Sequence, residues 1–204
     1  MATAGGPEDL GITLPPIEIV ELAEAAWQYV LTAVGTELDY TPETLPLLDH
    51  YIRQSSENVR ERPELAELLT RSVGAYFGEV VRRTLPCFWR LPSSDARSWQ
   101  LCFEQVFLAF NPTAFAWDAL FESADHDGPS SELVLDREDR EALEQRLAAL
   151  PPVSESEYWL LSTRFEVVEM AADQARLGLS RAGLAHVEYG PADYEPTISP
   201  IGQA

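Results

Sequence analysis

Residues able to do chemistry concentrate around one glutamate. Glu79 lies in the segment Ser72-Val73-Gly74-Ala75-Tyr76-Phe77-Gly78-Glu79-Val80-Val81-Arg82-Arg83, whose apolar spacing is helical. Arg82 at i+3 and Arg83 at i+4 therefore share its side of the helix. A carboxylate beside two guanidiniums at a cleft has the parts for proton transfer or for holding a small polar ligand, which makes Glu79 the candidate catalytic residue. The plainer reading is a solvated Glu79–Arg83 pair, worth only about 0.3–0.5 kcal/mol if exposed. No second carboxylate or histidine stands near it in sequence to complete an acid–base pair.

Other constellations carry less. Asp125-His126-Asp127 offers metal-ligating atoms, but three consecutive residues cannot wrap one ion, and His50 and His186 belong to different predicted elements. The tripeptide reads as a solvated acidic loop, and neither a metal nor a cofactor is expected. The chain has no lysine, hence no lysine-containing phosphate loop, and it has no Gly-x-Gly-x-x-Gly turn or Gly-x-Ser-x-Gly elbow. ATP-dependent and serine-hydrolase chemistry on those templates is disfavoured.

The element that must position Glu79 is a helix opening at Pro63 and ending before Pro86, with Leu65, Leu68, Leu69, Val73, Tyr76, Phe77, Val80 and Val81 as its apolar stripe. Gly74 and Gly78 each cost it about 1 kcal/mol relative to alanine. Four apart, they form a bare strip where Trp89 or Trp99 can press close. The period then changes to two. Cys87, Trp89 and Leu91 alternate with Phe88 and Arg90, and Trp99, Leu101 and Phe103 alternate with Gln100 and Cys102, which predicts a hairpin. A third strand over Val106–Phe110 completes a three-stranded antiparallel sheet over about 86–110, and a helix over about 113–122 follows Asn111-Pro112. Matching the apolar faces sets Cys87 opposite Phe103 and Trp89 opposite Leu101, and turns Cys102 to the other face beside Phe88. The two cysteines are then reduced, buried thiols.

Around this centre, residues 1–15 read as a flexible leader rich in Gly and Pro. A first helix runs from about Pro16 to Gly35, with Glu18, Glu21 and Glu24 outside, and a second from an N-cap at Thr41 to about Gln54. Downstream, Asp136 is the expected N-cap of a helix that Pro151-Pro152 stops, and Ser154 with Glu157 forms a capping box opening one long helix. From Gly183 the pattern loosens. The organisation expected is a leader (1–15), one α+β domain rich in helix (16–185) and an irregular C-terminal tail (186–204).

The stretch Thr41-Pro42-Glu43-Thr44-Leu45-Pro46-Leu47-Leu48-Asp49, then Val73-Gly74-Ala75-Tyr76-Phe77-Gly78-Glu79-Val80, then Trp89 and Asn111-Pro112, resembles a group of uncharacterised bacterial domains. These share a Ser/Thr-Leu-x-x-Leu-Asp helix and a Gly-x-Tyr-x-Gly-Glu helix packed on a short antiparallel sheet. The resemblance spans residues of about 38–121 and implies a structural motif of Gly74, Tyr76, Gly78, Glu79 and Trp89. It implies no activity, because the group has none established.

Charge supplies the functional expectation. The 34 acidic residues face 14 basic ones, all arginine, for a net charge of −20, and the excess lies before residue 53 and after residue 110. Such a surface repels nucleic acid and anionic membranes and attracts a basic protein. The candidate binding residues are Glu18, Glu21 and Glu24 on the first helix and Asp136, Glu138 and Asp139 at the start of the later one. No stretch reaches the ~20 apolar residues of a membrane span, and the N-terminal residues lack the pattern of a signal peptide, so a cytoplasmic protein is expected. The leading reading is an acidic protein-binding domain, an immunity-like inhibitor of a basic partner. The alternatives are an enzyme or small-molecule-binding domain with a cleft near Glu79, Arg82 and Arg83, and a structural assembly component whose acidity only keeps it soluble.

Overall fold

Residues 14–123 and 128–195 are described by a computed structural model. The expected leader, apart from Leu14 and Pro15, lies outside these residues, as do Asp125-His126-Asp127 and residues 196–204. Helix α1 (Ile17–Val34) buries Ile19, Ala23, Ala26 and Val30, one residue per turn, and stops where Gly35 adopts φ 76° and donates its N–H to Leu31 O. The next start differs from expectation. Thr41 makes no side-chain cap; Asp39 instead accepts hydrogen bonds from Thr41 N, Thr41 Oγ1 and Thr44 Oγ1, shaping a single 3-10 turn over Pro42–Thr44. Helix α2 (Leu45–Arg60) then runs six residues beyond Gln54, and Arg60 at its end donates from Nε to Leu120 O at 2.7 Å.

Helix α3 (Pro63–Thr84) is the centre of the molecule, buried continuously from Ser72 to Val81. It is followed by β1 (Cys87–Arg90), β2 (Gln100–Phe103) and β3 (Leu108–Phe110) in the expected register, Cys87 opposite Phe103, Phe88 opposite Cys102 and Trp89 opposite Leu101. Both cysteines are free and buried. Among the described residues the sheet has four strands rather than three. Strand β4 (Val134–Leu135) pairs antiparallel with β3 and extends the order to β1-β2-β3-β4. Two residues are too few for a period-2 pattern, so nothing local announces it. Strand β3 also starts later than Val106, because a tight turn in which Leu108 N–H donates to Val106 O precedes it.

Helix α4 (Pro112–Phe121) is capped by Asn111 Oδ1, which accepts from Thr113 N and Ala114 N. Helix α5 (Arg137–Ala148) follows β4; Asp136 precedes it without the expected side-chain cap bond. The long helix expected from Ser154 is two helices. The capping box forms and opens α6 (Glu155–Tyr158), but Leu160 is extended and α7 (Leu161–Arg181) starts afresh. The cause is remote. Asp49 of α2 accepts from Leu161 N at 2.7 Å, from Ser162 N at 3.2 Å and from Ser162 Oγ at 2.6 Å, supplying an N-terminal cap from 112 residues away.

The helices cover one face of the sheet, burying Trp99, Leu101, Phe103 and Phe110 against Tyr76, Phe77 and Phe115. On the other face Phe88, Cys102 and Ala109 form a smaller cluster with Tyr194. Within the segment expected to be an irregular tail, Pro191–Tyr194 form a 3-10 turn whose last residue belongs to this cluster.

Candidate functional site

Gly74 and Gly78 do what their spacing suggested, each against a different neighbour. A methyl on Gly78 would overlap Trp89 Cζ2 and Cη2, and one on Gly74 would stand 2.6 Å from Thr113 Cα at the start of α4. The bare strip of α3 thus seats an indole and a helix N-terminus side by side. Trp89, brought there by β1, points its ring N–H at Glu79.

Glu79 is only 2 % exposed, so the expected solvated pair is corrected to a buried one. Its Oε1 accepts from Arg82 Nε at 2.8 Å and from Trp89 Nε1 at 2.8 Å; its Oε2 accepts from Arg82 Nη2 at 2.9 Å and lies 3.8 Å from Arg83 Nε. Arg82, not Arg83, makes the fork. The Arg83 guanidinium lies 3.7 Å over the Tyr40 ring, which stacks on Tyr76 at 4.6 Å, while the Tyr76 hydroxyl accepts from Tyr40 N–H at 2.8 Å. These contacts hold Tyr40 at φ 62°, a left-handed backbone that a bulky residue seldom adopts. Burial pushes the Tyr76 phenol up to about 12. Both carboxylate oxygens of Glu79 are committed to donors within the protein. Chemically the cluster is a charged clamp joining α3, β1 and the α1–α2 connection.

The acidic candidates divide. Glu18 is taken by Arg71 at 2.8 Å, and Glu21 and Glu24 are exposed on α1. Asp136, Glu138 and Asp139 form, with Arg137, with Gly178 and Leu179 of α7 and with Ala182 just past its end, a groove of about 410 Å³. Among the described residues none of the three stands in an ion pair, and Arg137 is turned to Glu141 at 2.8 Å. Gly178 makes the seat: a Cβ there would lie 2.6 Å from Asp139 Oδ1. Burial, then the charges of Asp136 and Glu138, push the Asp139 carboxyl above the usual range. The neighbouring Tyr189 phenol is raised by burial and by Asp136, Asp193 and Asp139. The N-terminal end of α5 by itself favours negative charge by about 0.3–1 kcal/mol.

Sequence reasoning missed the contribution of Gly178. A glycine within the helical stretch Ala175–Ser180 was the available signal, since its cost there implies a close contact. It also missed a buried pair, Arg164 Nη2 to Asp118 Oδ2 at 3.2 Å, whose guanidinium lies over the rings of Phe115, Tyr158 and Trp159. Among the described residues no group of three or more His, Cys, Asp or Glu side chains is placed to hold a metal ion, and no helix is long and apolar enough to cross a membrane. Comparison of the chain with protein-family models, curated proteins and solved structures returns no match.

Proposed function

We propose that this protein is an acidic binding domain that docks a basic protein in the groove between the start of α5 and the end of α7, in the manner of an immunity-like neutralising partner. The observation that carries the reading is the groove itself: Asp136, Glu138 and Asp139 line it, Asp139 is seated on Gly178, and among the described residues none of the three stands in an ion pair. Mutually repelling carboxylates held together lower the stability of the free protein, and a cation from a partner would relieve that repulsion on binding. The enclosure of Glu79 favours this reading over the enzymatic one, because no oxygen of that carboxylate is left to face a substrate.

The test is a pull-down from the native lysate with the wild-type protein and with the Asp136→Asn, Glu138→Gln, Asp139→Asn triple variant. One basic protein in near-stoichiometric amount, lost with the triple variant and at high salt, is expected. Equal recovery by both, or recovery of abundant cationic proteins alone, would leave the acidity as a solubility device.

A further inference from the structure

Among the described residues, Tyr194 covers the second face of the sheet, with Phe107 and Tyr189 packed beside it. Tyr194 reaches over β2 and β3, where its hydroxyl lies 2.6 Å from Phe103 O, 3.0 Å from Val106 O and 3.2 Å from Leu108 O, and accepts from Leu108 N–H at 3.3 Å. Its ring stacks on Phe107 at 5.2 Å and meets Phe88 edge-on at 6.0 Å. Phe107 also contacts Tyr189 at 5.9 Å, and Tyr189 N–H donates to Glu104 O at 2.7 Å. The remainder is loosely seated. Residues 181–186 are all exposed, Gly183 has φ 74°, and Glu188–Pro191 line an open cavity of about 580 Å³ together with Phe88, Trp89, Glu104 and Gln105. Tyr194 and Tyr189 thus hold a segment that contributes little else to the core.

We infer that the segment Val187–Tyr194 is a latch, which swings off the sheet about the exposed 181–186 connection while the rest of the domain stays folded and thereby uncovers a tyrosine socket beside Cys102. Segments with few buried contacts open at lower free energy than the whole domain unfolds. The two cysteines report on this independently. Cys102 lies under the latch, in the cluster of Phe88, Ala109 and Tyr194, whereas Cys87 faces the main core. In the closed molecule both thiols are buried, Cys102 0 % and Cys87 6 % exposed, so either reacts only after an opening. A latch opens the way to Cys102 and leaves Cys87 covered.

The experiment is modification of the native protein by an aromatic disulfide reagent, with Cys87→Ser and Cys102→Ser variants to assign the rates. Cys102 is expected to react at least about tenfold faster than Cys87 and with a weaker urea dependence, as a sub-global opening requires. Tyr194→Phe, which removes the hydroxyl and keeps the ring, should speed Cys102 about tenfold further while leaving the Cys87 rate within about twofold. Reaction of Cys87 first, or of both thiols together with the urea dependence of global unfolding, would overturn the latch.

Discussion

Replacing Gly78 by alanine tests the seat of the charged clamp. In an unobstructed helix the change would stabilise by about 1 kcal/mol. Here the new methyl overlaps Trp89 Cζ2 and Cη2, with Pro112 Cγ 3.2 Å away. Relieving that overlap costs about 1–3 kcal/mol by analogy with overpacked cores. The displaced indole also loses its hydrogen bond to the buried Glu79 carboxylate, a bond of the charged class worth about 1.5–3 kcal/mol. The balance is a net loss near 3 kcal/mol, within about 1.5–5. Phenylalanine at position 89 lacks the two clashing atoms. In the Trp89→Phe background Gly78→Ala should therefore cost less than about 1 kcal/mol or stabilise, giving a coupling of at least about 2 kcal/mol in a double-mutant cycle read by urea denaturation. Additivity within about 0.5 kcal/mol would refute the contact on which the reasoning rests.

Three further outcomes follow from the same geometry. Glu79→Gln should destabilise by about 1.5–3 kcal/mol in urea, because Arg82, whose side chain is only 13 % exposed, loses its charged partner; a loss under about 0.5 kcal/mol would contradict the buried clamp. Asp49→Ala should cost about 2 kcal/mol, and hydrogen exchange should accelerate first at Leu161 and Ser162, where the cap is removed. Asp139 has a folded-state pKa raised above its ordinary 3.8, so its ionisation lowers stability as pH rises through the folded value. Asp139→Asn should consequently raise the thermal midpoint at neutral pH, with the advantage shrinking as pH falls toward the ordinary value; an advantage independent of pH would contradict a carboxyl whose ionisation is opposed by burial and then by Asp136 and Glu138.

What could be read from the chain depended on how far away the deciding partner was. The β1–β2 register was legible because Cys87, Trp89, Leu101 and Phe103 share one face, and a one-residue slip would have exposed them. The close approach at Gly78 was legible from the cost of glycine in a helix. The burial of Glu79 was not, because the i+3 and i+4 arginines describe an exposed pair equally well; the discriminating clue was the indole N–H of Trp89, which when buried needs an acceptor. The break between α6 and α7 was invisible locally, since the carboxylate that caps Leu161 and Ser162 belongs to Asp49. The latch tyrosine was hidden for the same reason, as the carbonyls it meets lie some ninety residues upstream. At the acidic groove the charges of Asp136, Glu138 and Asp139 were legible, and Gly178 signalled a close contact without naming Asp139, on another helix, as its partner.

If the groove between α5 and α7 attracts a basic partner by charge, the association rate of the captured partner will report it as a function of ionic strength, for wild type and for the Asp136→Asn, Glu138→Gln, Asp139→Asn variant. Steering through these carboxylates requires the wild-type rate to fall steeply with salt while the dissociation rate changes less, and the variant to start slower and show a shallower salt slope. Identical rates and slopes for the two proteins would contradict the assignment of the groove.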